Sequence, residues 1–347
     1  MNSRAVESTS STALVGAEPF RYAAESRWCE LPAGCEAVGV ATDSQDRVYV
    51  FNRSELPVRV FSPDGRYLHG WGAGVFTAPH GIHIGADDSV YCTDYYDHTV
   101  RKFTLDGELL MTLGVPGQFS ETGATSVDYR QIRRAAGPFN FPTNLAIAPS
   151  GELYVADGYG NARIHIFSPA GKLLQSFGAP GDGPGQFQVV HGIAIDPAGV
   201  VYVPDRENSR IQRFTLEGQF IDEWRDVARP CEVFIDREER VFVAELGFRA
   251  GMFPGNEPPT PNATGGRVSI FSSDGELLAR FGGGDHPCAP GDFFAPHDIW
   301  LDSRGDFYVS EVVYAAGISR GLIGPDCHTL QKFARVNAGA NAELTNH

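Results

Sequence analysis

Three of the ten histidines stand in one fixed relation to an acidic residue. His80 precedes Asp94, His191 precedes Asp205 and His297 precedes Glu311, each by fourteen positions. Imidazole nitrogens are borderline-soft donors, and three of them meeting at one point with a fourth position open is the ligand set of a catalytic zinc ion. Asp298 directly follows the third histidine. Its carboxylate suits either the orienting of a ligand or, with backbone carbonyls, the binding of a hard cation such as calcium. Arg206 lies fifteen positions after His191, Arg53 fifteen after Val38, and Tyr159 falls within DGYGNAR. Guanidinium groups capture carboxylates in bidentate fashion, and a tyrosine near a metal and cations has its ionised form favoured, so it can act as a base. By spacing alone, each arginine reads equally well as a structural salt bridge.

The elements that position these residues are repeats. Counting fourteen positions back from Asn52, Asp94, Asp157, Asp205, Glu245 and Glu311 gives Val38, His80, Thr143, His191, Cys231 and His297. Each of these six slots opens an apolar strand, followed by a polar turn, an aromatic-aliphatic strand ending in the landmark residue, and a third strand ending in Phe. Turns of the DG type, as in SPDGRYLHGWG and SSDGELLARFG, then lead to a fourth strand. Four antiparallel strands per unit of about 40 residues is the pattern of a propeller blade. The expected fold is therefore an all-β, six-bladed β-propeller, in which histidine occupies alternate blades about 120° apart around the axis. Insertions are expected near 115–140, 248–266 and 312–328. The sixth unit supplies only three strands, and FRYAAESRWCEL (residues 20–31) is expected to provide the fourth and close the ring. Residues 18–337 thus form one propeller domain, with 1–17 and 338–347 expected as a disordered start and a flexible tail.

Composition agrees. Of 347 residues, 40 are Gly and 23 Pro, which fits a turn-dense β protein. With 28 Lys and Arg against 43 Asp and Glu, the net charge of −15 repels phosphate backbones, and nucleic acid is excluded as a partner. No apolar run is long enough for a membrane span. The opening residues show no apolar signal core, so a cytoplasmic, monomeric protein is expected. For the six cysteines that compartment implies reduced, mostly buried thiols. Competing motifs are weaker. Gly317-Ile318-Ser319-Arg320-Gly321 matches G-x-S-x-G without a strand-to-helix elbow. PGDGPGQ resembles a phosphate nest but lacks the following GK[ST]. His83, His98 and His165 read as core or solvated residues, and His286 and His328 as weaker metal candidates.

The units resemble NHL repeats. The combination of PHG at 79–81, DGYGNAR at 157–163, VVHGI at 189–193 with PDRENSRIQ at 204–212, and APHDI at 295–299 resembles peptidyl-α-hydroxyglycine α-amidating lyase over residues 36–335. The resemblance implies zinc on His80, His191 and His297. It also implies a structural calcium ion on Asp298 and the carbonyls of Val40 and Ile82, with Tyr159, Arg53 and Arg206 as catalytic residues. Ala295 stands where animal members carry methionine, and with Asn161 it is expected in the substrate pocket. The members' disulfide cysteines correspond to Gly160 and Tyr202, so those bridges are absent. The implied activity is cleavage of an N-acyl-α-hydroxyglycine carbinolamide, a small molecule or short peptide, to a primary amide and glyoxylate. Two other readings remain open: a metal-dependent hydrolase or lactonase on a propeller, and a non-catalytic NHL interaction module.

Overall fold

The computed structural model describes residues 12–250 and 264–336. Six antiparallel sheets follow one another around a central channel, as the repeat count requires. Blade one comprises Ala37–Thr42, Val48–Asn52, Val58–Phe61 and Tyr67–Trp71, from the channel outward. The inner strands of blades two, three, five and six are Pro79–Ile84, Pro142–Ile147, Pro230–Ile235 and Pro296–Leu301. Blade four has a short inner strand, Ala194–Ile195, preceded by a bridge between Val190 and Asp205. The first three strands of each blade are largely buried, while the outermost are mostly exposed or half-buried, because they meet solvent. Aromatic pairs bind neighbouring blades, as where Phe242 of blade five meets Phe307 of blade six with ring centroids 5.9 Å apart.

Blade six is built from both parts of the chain. Strand Phe20–Glu25 pairs with Leu330–Arg335, which continues the sheet through Phe307–Glu311 to the channel. The N-terminal closure expected from the sequence is therefore present. One correction applies: Thr12–Ala17, expected within the disordered start, forms a fifth strand paired with Phe20–Glu25. Its exposed, Gly- and Ala-containing pattern carries little burial signal, so only its pairing marks it. Residues 1–11, 337–347 and the Pro-rich part of the blade-five insertion (251–263) lie outside the described residues.

The direction of the strands settles where the insertions stand. Inner strands start, and second strands end, at the face carrying the slots and landmarks. The insertions at 115–141 and 312–329 join strands at that same face, as do the described flanks of the one in blade five. Short turns such as 43–47 and 302–306 occupy the opposite face. Among the described residues no helix is long and apolar enough to cross a membrane. A second correction concerns the thiols. Cys29, Cys35, Cys92 and Cys231 are free, but Cys288 and Cys327 form a disulfide. Two loops distant in sequence, one before the inner strand of blade six and one after its second strand, meet there, a proximity that spacing does not reveal.

Candidate metal centre and active site

The slot is a β-bulge. In blades one, three, five and six the ladder between inner and second strands skips Val38, Thr143, Cys231 and His297, and in blade two it skips His80 and Gly81. A bulged residue is released from the alternation of the strand, so its side chain can be re-aimed, here into the channel. The landmark acids explain why the bulge is fixed. The Asp94 carboxylate accepts hydrogen bonds from the amides of Thr77 and Ala78 at 2.6 and 2.9 Å. Asp157, Asp205, Glu245 and Glu311 do the same for Asn140, Gln188, Ala228 and Phe294. Each of these five acids thereby satisfies buried donors just ahead of the slot and sets the entry of the inner strand, whereas Asn52 of blade one donates to the Leu56 and Pro57 carbonyls. In five blades the residue after the landmark donates its amide to the carbonyl two positions before the slot: Arg53 to Glu36, Tyr95 to Ala78, Arg206 to Val189, Leu246 to Arg229 and Val312 to Ala295; in blade three Tyr159, two positions after Asp157, donates to Phe141 instead.

Three imidazoles meet on the axis. The ring centroids of His80, His191 and His297 are 4.6–4.8 Å apart, and one candidate ligand atom from each lies within 4.8 Å of the others. All three are buried. Each ring places Nδ1 on the slot carbonyl of the next blade: His80 on Thr143 at 2.7 Å, His191 on Cys231 at 3.1 Å and His297 on Val38 at 2.7 Å. That contact fixes Nδ1 as the protonated nitrogen and leaves Nε2 as the free donor, the arrangement that orients metal-binding imidazoles. Burial, reinforced by the neighbouring imidazoles and Arg53 or Arg206, holds His80 and His191 well below the ordinary histidine range. Burial and Arg53 lower His297 to about 3. Neutral rings with free Nε2 atoms at one point fit a zinc ion.

Tyr159 joins this cluster. Its hydroxyl is 3.2 Å from His80 Nε2 and 3.0 Å from His191 Nε2, and it accepts a hydrogen bond from an Arg206 amino group at 3.2 Å. Arg206 is itself buried, and its Nε–H donates to Glu207, which also pairs with Arg229. Burial opposes the charge on Arg206, but Tyr159 and Glu207 outweigh it and the guanidinium is held still more firmly protonated. Arg53 lies on the other side of the mouth. It pairs with buried Glu36 at 2.8 Å and its guanidinium stands 5.6 Å from the centroid of the Tyr95 ring. Both arginines thus make the structural salt bridges that spacing allowed, and both still border the histidines. Burial raises Tyr95 to about 12, so it stays a phenol at neutral pH.

Below the histidines, Asp298 accepts from the amides of Val40 and Ile299 at 3.0 and 2.8 Å. In a strand the N–H and C=O of one residue point to the same side, so the Val40 carbonyl also faces the Asp298 side. Glu232 sits at the same depth, hydrogen-bonded by Asn144 and the Ile193 amide. Burial, and then the proximity of Asp298, raises Glu232 well above the carboxylate range, and burial raises Asp298 to about 8.

Two residues are expected in the substrate pocket. Asn161 has no exposed surface; it binds Asp157 at 2.9 Å and the 115–141 insertion through Ala136, and so acts as a strut. Ala295 is likewise fully buried, within a cluster containing Phe294, Val312 and Ala316. Glu36, Tyr95, Glu207 and Glu232 were not expected. Tyr95 occupies the same register position as Arg53 and Arg206, and Glu232 the same as Asp298, so the repeat alignment already contained both. His165 is a core residue on Asp157, as expected, and Ser319 of G-x-S-x-G lies in a 3-10 turn.

A family model described as a 6-bladed beta-propeller matches residues 142–243. The human NHL repeat-containing protein 3 is 34% identical over 200 residues, covering 54% of each chain. The Drosophila melanogaster peptidyl-alpha-hydroxyglycine alpha-amidating lyase 1 is 27% identical over 267 residues, covering 72% of this chain and 45% of the relative. The chain spans about half the length of both curated relatives. Among solved structures, a gluconolactonase from Xanthomonas campestris has a TM-score of 0.58 at 14% identity, covering 90% of this chain and 89% of its own, a likeness of fold alone.

Proposed function

We propose that this six-bladed propeller, with amidating lyases and NHL repeat proteins among its relatives, is a zinc-dependent carbon–nitrogen lyase. Its substrate is an N-acyl-α-hydroxyglycine, R–CO–NH–CH(OH)–COO⁻, split to a primary amide and glyoxylate. One observation carries the reading: the free Nε2 atoms of His80 and His191, converging with His297, meet the hydroxyl of Tyr159, which Arg206 also reaches.

Zinc held by the three Nε2 atoms would supply Lewis acidity to the substrate hydroxyl. Tyr159, as a phenolate stabilised by Arg206, takes the hydroxyl proton. The O–H electrons become the new C=O bond of glyoxylate, and the C–N electrons pass to the amide nitrogen. The same proton, returned from Tyr159, completes the primary amide. Arg53, at the opposite lip, binds the substrate carboxylate. Glu36 and Glu207 keep the two guanidiniums in place. A structural calcium ion on Asp298 and the Val40 and Ile82 carbonyls belongs to this reading.

The test is incubation of the purified protein with α-hydroxyhippurate and, separately, with simple lactones. The expected result is release of glyoxylate and benzamide, about one zinc per chain, and loss of both zinc and turnover in a folded His191→Ala variant. Tyr159→Phe should keep zinc and lower kcat by about 10²- to 10⁴-fold. Full activity in metal-free protein overturns the proposal. Lactone opening without glyoxylate would favour a hydrolase, and absence of zinc and of both activities an interaction module.

A further inference from the structure

The channel does not end at the histidines. Beneath them lies a cavity of about 130 Å³, lined by Ile82, Asn144, Glu232, Asp298 and Trp300 among others. That is space for one ion and a few waters, at about 30 Å³ per water. Two carboxylates border it, both buried. Glu232 accepts from Asn144 Nδ2 at 2.5 Å and from the amides of Ile193 and Val233 at 3.2 and 3.1 Å. Asp298 accepts from the amides of Val40 and Ile299. Every one of these hydrogen-bond donors is neutral, and neither carboxylate takes part in an ion pair among the described residues.

The backbone makes room for both groups. A Cβ on Gly192 would lie 2.4 Å from a Glu232 carboxylate oxygen, and one on Gly39 would lie 3.1 Å from Asp298 Oδ2. Blade four therefore needs glycine, and blade one is crowded against anything larger, at the position where blades five and six carry acids. Buried charges persist in proteins when paired or bound to metal, and two carboxylates without a cation are strongly disfavoured. Oxygen donors at this number and softness select calcium over zinc.

We infer that Glu232 is a second carboxylate ligand of the axial calcium ion, facing Asp298 across the cavity, so that two negative charges neutralise the ion. The inference rests on the proposed calcium reading and adds to it a residue that the resemblance does not supply. Calcium affinity rises with the number of charged ligands, so the second carboxylate sets how tightly the ion is held.

Calcium titration of the purified, zinc-loaded protein tests this, read by elemental content and thermal midpoint. Terbium emission sensitised by Trp300 and displaced by calcium gives a measurement on the unaltered chain. Glu232→Gln should weaken calcium at least about tenfold and leave zinc content unchanged. Asp298→Asn should also lose calcium. If Glu232→Gln binds calcium like the wild type while Asp298→Asn does not, the inference fails and the calcium reading stands. If the wild type shows neither calcium nor displaceable terbium, the calcium reading itself fails. Loss of zinc rather than calcium in Glu232→Gln would overturn the inference, because the carboxylate would then serve the charge of the upper site. Glu232→Asp, which keeps the charge, provides a folded control and should retain part of the affinity.

Discussion

Blades two, four and six differ from blades one, three and five at a single position of a shared scaffold. The bulge, the landmark residue and the amide that closes the mouth recur in both sets. In the even blades the slot is histidine; in the odd blades it is Val38, Thr143 or Cys231. The odd slots are not idle. Their carbonyls receive the Nδ1–H of the preceding histidine, so each even blade supplies an imidazole and each odd blade orients it. An odd slot contributes through its backbone, which explains why valine, threonine and cysteine serve the same role. Burial raises the Cys231 thiol to about 11, which keeps it protonated and out of competition as a ligand.

This division of labour can be broken on either side. His297→Ala should abolish stoichiometric zinc and lower turnover by more than about 100-fold, beyond the effect of losing an orienting partner. Cys231→Ala, which keeps the carbonyl, should leave zinc content unchanged; elemental analysis of the two proteins side by side checks the contrast. Equal zinc loss in both would mean that the slot side chains are interchangeable. A smaller effect separates the arginines, one on an odd and one on an even blade. Arg206→Ala, which strips Tyr159 of its cation, should lower kcat by about 10- to 100-fold, whereas Arg53→Ala should raise KM by a similar factor. Steady-state kinetics distinguishes them.

The smallest effect is on stability. The histidines titrate below 6.5 when folded, so the unfolded chain binds more protons in the window between their folded values and 6.5. Their contribution in metal-free protein is fully present above pH 6.5 and is lost as pH falls toward about 3 for His297. Between pH 7 and 5 that residue alone accounts for about 2 kcal/mol. Thermal midpoints of the metal-free protein should fall over this range, less steeply in His297→Gln and unchanged in slope in Cys231→Ala.

The blade count and the histidine trio were legible because both are periodic, and a register read from Asp94, Asp205 and Glu311 carries them together. The supporting residues were harder to see. Glu232 follows its slot as Asp298 does, but the glycines that admit it lie on other blades, and only coordinates bring Gly192 against its oxygens. For Asn161 and Ala295, position near a motif did not reveal that both side chains are fully buried. The Cys288–Cys327 bond joins two loops that follow no repeat.

The contact between His297 and the Val38 carbonyl spans 259 positions of chain. It joins the inner strands of blades six and one, the blades between which the ring closes, and blade six is itself completed by the pairing of Phe20–Glu25 with Leu330–Arg335. The other two contacts, His80 on Thr143 and His191 on Cys231, span 63 and 40 positions and link neighbouring blades within the chain. The convergence of the three imidazoles is in this way a property of the closed ring rather than of any one blade.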